Sequence, residues 1–122
     1  IDFFKKVNET YGHKAGDAEL VHIAKLLQQG LPKGGQVIRW GGEEFILLLE
    51  HTDWEAAVQL AQTLRERVEQ SVCRFEDQEI RVTMSFGVSK WDRELTSDEN
   101  IKGVDQKLYK AKTTGRNRVV AE

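Results

Sequence analysis

Two adjacent carboxylates stand in a glycine-rich segment, where residues 39–45 read Arg-Trp-Gly-Gly-Glu-Glu-Phe. Gly41 and Gly42 supply the backbone freedom that a tight hairpin turn requires between two strands. Glu43 and Glu44 would then lie at the tip of the hairpin, where they could bind one hard cation together or divide metal and base roles. The alternative is a solvated turn with two surface glutamates, because short motifs also occur by chance.

Helices and strands alternate around this hairpin. The helical spacing of apolar residues predicts helices at residues 3–9, from Gly16-Asp17 to the glycine-rich stretch at 30–35, from 52–53 onwards, and at 101–111 with Gly115 as C-cap. Strands are predicted at residues 36–40, 45–49 and 118–121, and at 80–88, where apolar and polar side chains alternate. A hairpin within this order indicates an α+β fold, with a sheet of mixed direction covered by helices.

Length and composition indicate one domain, residues 1–122, since this length is typical of a single core and too short for a catalytic unit with a sensor. The net charge of −2 argues against a surface that neutralises the many phosphates of a nucleic-acid polymer. The single Cys73 fits a reducing compartment and predicts a cytoplasmic domain. The longest apolar run, residues 45–49, is far short of the roughly 20 residues that span a bilayer, although a membrane anchor could precede the chain in a longer parent protein.

Four further segments carry a recognisable sequence. They are Asp-Phe-Phe-Lys at 2–5, Asn-Glu-Thr-Tyr-Gly-His-Lys-Ala-Gly-Asp at 8–17, Val-Thr-Met-Ser-Phe-Gly-Val at 82–88, and Leu-Tyr-Lys-Ala-Lys-Thr-Thr-Gly-Arg-Asn-Arg at 108–118. With the hairpin, and in this order and spacing, they resemble the GGDEF-domain family of diguanylate cyclases, in its GGEEF variant. The resemblance implies the condensation of two GTP molecules into cyclic di-GMP with release of two pyrophosphates. It also implies a ferredoxin-like sheet of mixed or antiparallel strands, as in nucleotide cyclases and polymerase palm domains.

The N-terminus departs from the family pattern. In the family, the first strand ends in Asp-Ile/Val-Asp, whose first Asp is a metal ligand, whereas this chain begins at Ile1, the middle residue of that triplet. We therefore expect an N-terminally truncated chain that lacks the first strand and this ligand, because losing a central strand would leave backbone groups unpaired.

The resemblance also implies roles for the carboxylates in nucleotidyl transfer. A divalent metal neutralises charge on the α-phosphate and activates the attacking 3′-hydroxyl, and Mg²⁺ is the usual ion, with Mn²⁺ as a second candidate. Glu43 is implied as metal ligand and general base, Glu44 as support of the metal site, and the backbone carbonyl of Ile1 as a further ligand. The sequence does not separate the base role of Glu43 from its metal role.

Phosphate contacts are implied at both ends of the chain. The start of the first helix, at Phe3 and Phe4, would present free N–H groups and the positive end of the helix dipole to the triphosphate, with Lys5 adding a charge. The two phenylalanine side chains could instead belong to the core. Lys112 and Arg116 match family positions that hold the β- and γ-phosphates, and their alternative role is favourable pairing with a helix C-terminus.

Guanine contacts are implied at Asn8 and Asp17, and a supporting contact at His13. Amide and carboxylate groups suit this task, because guanine both donates and accepts on its Watson–Crick edge. The alternatives are that Asn8 ends a helix, that Asp17 is the N-cap of the next helix, and that His13 is structural.

One such domain binds one GTP, whereas the product joins two, so catalysis implies a homodimer in which each protomer contributes half of the active site. An upstream sensor or regulatory domain would impose this contact in the parent protein. Many family members also carry an Arg-x-x-Asp inhibitory motif before the hairpin. Residues 32–35 read Pro-Lys-Gly-Gly instead, which predicts no product inhibition through that site.

Two other functional classes remain open. A non-catalytic GTP-binding regulatory module is one, although degenerate family members usually show altered hairpin residues, which this chain lacks. A ferredoxin-like RNA-binding sheet is the other, but it would require exposed aromatic residues on central strands and a basic surface, whereas Phe45 and Phe86 are predicted to be buried.

Overall fold

Helices and strands alternate along the chain, as the sequence predicts. The structure is a computed structural model that describes residues 1–122. The helices are α1 (Phe4–Tyr11), α2 (His13–Gly30), α3 (Trp54–Gln70) and α4 (Ser97–Thr113). The strands are β1 (Gln36–Arg39), β2 (Phe45–Leu48), β3 (Cys73–Phe75), β4 (Gln78–Ile80), β5 (Phe86–Gly87) and β6 (Val119–Val120). The fold is α+β, and α1 begins and ends slightly later than predicted.

The core forms where the apolar faces of α2 and α3 meet. On α2, Leu20, Ile23 and Leu27 recur at helical spacing and are buried, and Leu64 and Val68 do the same on α3. Each buried side chain of this kind contributes roughly 1.5–3 kcal/mol relative to its exposed state. The hairpin of β3 and β4 closes the same core.

Local hydrogen bonds fix the ends of α3 and α4. The Asp53 side chain accepts the amide three residues further on at 2.8 Å, so α3 begins where the sequence predicts. Thr96 and Glu99 form a capping box at the start of α4. At its other end the C-cap is Thr114, one residue before the predicted Gly115, which follows with a φ of 133°.

The second helix begins earlier than predicted. Gly12, with a φ of 94°, separates α1 from α2, and His13 is already helical. Asp17 therefore lies inside α2, and the alternative that it is the N-cap is wrong. Gly16 occurs within the helix because α1 passes close by: a Cβ atom at this position would collide with the Asn8 side chain.

The carboxylate hairpin forms as predicted, since β1 and β2 pair antiparallel over their whole lengths. The amide of Trp40 donates to the carbonyl of Glu44 at 2.9 Å. The Arg39 guanidinium donates to the carbonyls of Gly41, at 3.3 Å, and Gly42, at 2.8 Å. Neither glycine has a positive φ, and a Cβ atom on either would meet nothing within 4 Å. The expected need for glycine in the turn is therefore wrong, because the Arg39 side chain holds the turn.

Residues 80–88 do not form one strand, so this prediction is also wrong. Residues 81–85, between β4 and β5, take part in one backbone hydrogen bond, which the Asp2 amide donates to the Thr83 carbonyl at 2.9 Å. The apolar residues of this segment, including Met84, are nevertheless buried as predicted. Burial of alternate side chains keeps the segment extended, but within residues 1–122 it has no neighbouring strand with which to form a ladder. The strands consequently form three two-stranded sheets, two antiparallel and one parallel.

Helix α4 lies directly against the parallel pair of β5 and β6. Gly87 makes this approach feasible, because a Cβ atom there would lie 2.6 Å from two backbone atoms of α4. The Lys107 ammonium then donates to the carbonyls of Val88 and Ala121, each at 3.0 Å, and joins the ends of the two strands. These contacts fix where the C-terminal turn of α4 is placed.

One carboxyl group is buried in the core on α2. Glu19 is 1% exposed, and its Oε2 atom has no hydrogen-bond partner. Burial raises the pKa of Glu19, and hydrogen bonding to Cys73 opposes the rise. Burial and the same contact raise the pKa of the Cys73 thiol to about 11. The pair therefore favours the uncharged state of both groups.

Candidate functional site

A cavity of about 160 Å³ lies between the start of α1, the tip of the β1–β2 hairpin and the end of α4. Its lining residues are Ile1, Asp2, Phe3, Phe4, Lys5, Glu43, Lys112 and Arg116. All but Asp2 belong to the site predicted from the sequence. The fold thus brings together three segments that are far apart in the chain.

The start of α1 supplies free amide donors to this cavity. Phe3 is the N-cap, and its carbonyl accepts from the amides of Lys6 at 3.0 Å and Val7 at 3.3 Å. The amides of Phe3, Phe4 and Lys5 donate to no backbone carbonyl. No acidic side chain lies in the first turn, so the positive end of the helix dipole is uncompensated. This geometry suits an anion.

The two phenylalanine side chains have different environments. Phe4 is 7% exposed and belongs to the core, whereas Phe3 is 60% exposed. The alternative that both rings are core residues is therefore wrong for Phe3. The Phe3 ring instead packs against the Arg116 guanidinium, whose carbon lies 4.4 Å from the ring centroid. Lys5 is largely exposed, and its ammonium lies 4.0 Å from the Glu9 carboxylate.

Of the two hairpin carboxylates, only Glu43 lies at the cavity, opposite the start of α1. Glu43 is half-buried, lines the cavity, and accepts the Ile1 amino group on its backbone carbonyl at 3.1 Å. Glu44 is not part of the cavity lining, and its carboxylate lies 4.0 Å from the Lys112 ammonium.

The oxygen donors fit Mg²⁺ or Mn²⁺ in type but are few. Carboxylate oxygens of Glu43 and Glu44 and the carbonyl of Ile1 are hard ligands of the kind that these ions prefer. No group of three or more His, Cys, Asp or Glu side chains is placed to hold a metal ion. Residues 1–122 therefore bring together no complete set of metal ligands.

Sequence reasoning missed Asp2, which is 3% exposed. Its carboxylate accepts the Thr83 and Ser85 hydroxyls, each at 2.7 Å, and the Asn117 amide at 3.0 Å. A buried carboxylate requires this many donors to offset its lost hydration. The available signal was an acidic residue between apolar neighbours, in Ile-Asp-Phe-Phe at the start of the chain.

The loop after α4 holds Arg116 in an unusual backbone conformation. Arg116 and Asn117 both have positive φ values, of 61° and 47°. Besides the bond to Asp2, the Asn117 side chain accepts from Arg65 at 3.0 Å and donates to Glu69. Several contacts thus maintain a conformation that costs about 1–3 kcal/mol per residue. Lys112 and Arg116 both line the cavity, beside the start of α1 and the tip of the hairpin.

The residues predicted to contact guanine lie outside the cavity. Asn8 is half-buried and packs over Gly16 of α2, whereas His13 and Asp17 are exposed on the first turns of α2. The structure therefore groups them on the paired helices α1 and α2, and does not join them to the cavity.

An α+β fold with paired carboxylates on a hairpin, beside a helix N-terminus and two basic side chains, is of the nucleotide-cyclase type. A family comparison agrees, because residues 1–118 match the family described as "Diguanylate cyclase, GGDEF domain". The chain belongs to the GGDEF family.

Named relatives and solved structures place the chain within this family. It is 42% identical over 120 residues to "Diguanylate cyclase A" of Treponema denticola, covering 98% of this chain and 32% of that protein. The diguanylate cyclase SiaD of Pseudomonas aeruginosa, solved with its activator SiaC, has a TM-score of 0.94 and 36% identity over 99% of this chain and 46% of that one. The active GGEEF domain of a Vibrio cholerae diguanylate cyclase has a TM-score of 0.88 and 38% identity, over 99% of this chain and 77% of that domain.

The chain therefore spans about a third of the curated relative that it matches. Another relative, from Staphylococcus haemolyticus and 37% identical over 98% of this chain, is named an uncharacterized membrane protein. In the structure described here, no helix is long and apolar enough to cross a membrane.

Proposed function

We propose that this chain is the catalytic domain of a diguanylate cyclase, which condenses two GTP molecules into cyclic di-GMP and two pyrophosphates. One observation carries the proposal: seven predicted site residues from three distant segments line one cavity. The name of the Treponema denticola relative supports the same activity. Membership of the family alone would not place these groups together.

The cavity would bind the phosphate end of GTP. Its volume of about 160 Å³ is below the roughly 300 Å³ of a small-molecule pocket, so it can enclose only part of a nucleotide. The free amides at the start of α1 would bind phosphate oxygens along the helix dipole, and Lys112 and Arg116 would neutralise the β- and γ-phosphates. The base would extend towards α1 and α2, where Asn8, Asp17 and His13 would read guanine.

The chemical step joins two nucleotides at an α-phosphate. The 3′-oxygen of one GTP forms a bond to the α-phosphorus of the other, the bond to the β-phosphate oxygen breaks, and pyrophosphate leaves. Glu43 would accept the 3′-hydroxyl proton directly or through water, because it faces the cavity from the hairpin. A bound Mg²⁺ or Mn²⁺ would neutralise charge on the phosphates, with Glu43, Glu44 and the Ile1 carbonyl among its ligands.

The two halves of the product require two protomers. Each protomer would hold one GTP and present its 3′-hydroxyl to the α-phosphate on its partner, across a two-fold axis. An upstream sensor or regulatory domain would control this contact, and the parent protein would carry the domain in the cytoplasm, with a membrane anchor elsewhere in some architectures. Product inhibition through residues 32–35 is not expected.

The test is synthesis of cyclic di-GMP by the full-length parent protein, incubated with GTP and Mg²⁺ and followed by chromatography. We expect product from the wild type and a loss of about 10²–10⁴-fold in rate for Glu43→Gln. Glu50→Gln is the matched control, because Glu50 is an exposed glutamate two residues after the end of β2. Full activity of Glu43→Gln would remove Glu43 from both of its roles. GTP binding by the wild type without product would overturn the cyclase proposal in favour of a regulatory module.

A further inference from the structure

The Phe3 side chain is not part of the hydrophobic core. It is 60% exposed, whereas the neighbouring Phe4 is 7% exposed and belongs to the core. The Phe3 backbone also has a φ of 55°, which is uncommon for a bulky residue and costs about 1–3 kcal/mol. A residue held in this way at the edge of a cavity suggests a role for its ring within that cavity.

The ring contacts one basic side chain. The guanidinium carbon of Arg116 lies 4.4 Å from the Phe3 centroid, within the range of a cation–π interaction. No carboxylate lies within ion-pair distance of Arg116, and its guanidinium donates to no oxygen atom in residues 1–122. The face of the guanidinium is thus covered by the ring, while its N–H donors remain free.

The backbone and the side chain of Arg116 are held separately. The Asn117 amide bonds to Asp2, and the amide of Arg116 donates to the Ala111 carbonyl at 2.9 Å. These bonds fix the loop but do not involve the long Arg116 side chain, whose contact is with the Phe3 ring. Restricting it would otherwise cost up to about 2 kcal/mol of conformational entropy when a ligand binds.

We propose that the Phe3 ring is a positioning residue that orients the Arg116 guanidinium towards the terminal phosphates of GTP. The inference rests on the proposed binding of GTP phosphates in the cavity. The ring limits the rotamers of Arg116 before substrate arrives, so that less entropy is lost on binding. The amide donors of α1 and the donors of Arg116 then face the same anion.

Binding measurements on the full-length protein test this role. The variants are Phe3→Leu, which removes the aromatic face, and Phe3→Tyr, which keeps it, each made alone and with Arg116→Ala. Titration calorimetry gives the Kd for GTP and for GMP, which lacks the terminal phosphates. Trp91→Leu is the control, because Trp91 is a similarly exposed aromatic residue, at 56%, outside the cavity.

We expect Phe3→Leu to weaken GTP binding by roughly 2- to 30-fold, the range of a cation–π contact, and to leave GMP binding unchanged. Phe3→Tyr should restore the wild-type affinity. With Arg116→Ala, Phe3→Leu should have no further effect, because the ring acts through Arg116. Trp91→Leu should bind GTP as the wild type does.

Two results would overturn the inference: an equal loss of GTP and GMP affinity in Phe3→Leu, or a full additional loss in the Arg116→Ala background. Either would mean that the ring contacts the nucleotide or supports the fold directly. Product synthesis by the wild type is recorded in parallel. If the effects of Phe3→Leu and Arg116→Ala are coupled but the wild type makes no cyclic di-GMP, only the proposed cyclase activity is overturned. If the wild type makes cyclic di-GMP but the two effects are not coupled, only the positioning role is overturned.

Discussion

Removal of the Asp2 carboxylate should destabilise the protein strongly. Its three hydrogen bonds, to the hydroxyls of Thr83 and Ser85 and to the amide of Asn117, have a charged acceptor and would each contribute about 1.5–3 kcal/mol. Thr83 is only half-buried, so its hydroxyl can turn to water after the carboxylate is lost. We therefore expect Asp2→Ala to lower the free energy of unfolding by about 3–5 kcal/mol.

This loss is large against a typical total stability of about 5–15 kcal/mol. Urea denaturation of the purified protein measures it, with Asp105→Ala as control, since Asp105 is exposed on α4 and makes no ion pair or side-chain hydrogen bond. The control should change the unfolding free energy by less than about 0.5 kcal/mol. Asp2→Asn keeps one acceptor oxygen and should show an intermediate loss. A loss below about 1 kcal/mol for Asp2→Ala would refute the reasoning that this carboxylate holds the N-terminus and the loop after α4 together.

Three further predictions concern other positions. Gly87→Ala should destabilise the fold by about 1–3 kcal/mol in thermal unfolding, because its Cβ would meet α4 backbone atoms at 2.6 Å, and an unchanged Tm would contradict the contact. Glu19→Gln should remove a pH dependence of the unfolding free energy. Because the pKa of Glu19 is raised in the folded state, the wild type should lose stability as the pH rises from the ordinary value of 4.5 to the folded-state pKa. Equal slopes of unfolding free energy against pH for both proteins over that window would count against this expectation. Gly42→Ala should keep the Tm of the wild type, because neither the backbone φ nor the available space requires glycine there. Its GTP turnover should fall, because the added methyl group would lie where substrate passes over the hairpin tip. Normal turnover would place the substrate elsewhere.

Much of the fold could be predicted because its signals are local. The apolar spacing of α2 and α3 is a property of each segment, and so is the order of strand, glycine pair and strand in the hairpin. The boundaries were less predictable. Helix α2 begins after Gly12, and Gly16 lies inside it because it admits the Asn8 side chain of another helix, a contact that no local pattern reports.

The division of residues 80–88 had a similar cause. Alternation of apolar and polar residues predicts an extended segment with one buried face, and this part was right. Whether the segment joins a ladder depends on a neighbouring strand, and here only Asp2 reaches Thr83. The short hairpin of β3 and β4 was missed because no long apolar run flanks its polar turn residues.

The residues that line the cavity were more predictable than those that support them. Lys112, Arg116 and the start of α1 lie in motifs whose order implies one site, and the cavity contains them. Asp2 and the Phe3 ring were not predicted in their observed roles, because each acts on a residue more than 100 positions away. Only tertiary structure reveals that an apolar ring covers an arginine instead of the core.

The bond between Asp2 and Asn117 closes almost the whole chain into one loop. A growing polypeptide cannot form this closure until residue 117 has left the ribosome, long after residue 2 has done so. Closing so long a loop carries a large entropic cost, which the assembled core must first offset. A chain that ends before Lys112 would therefore lack both basic side chains that follow α3 in the cavity lining.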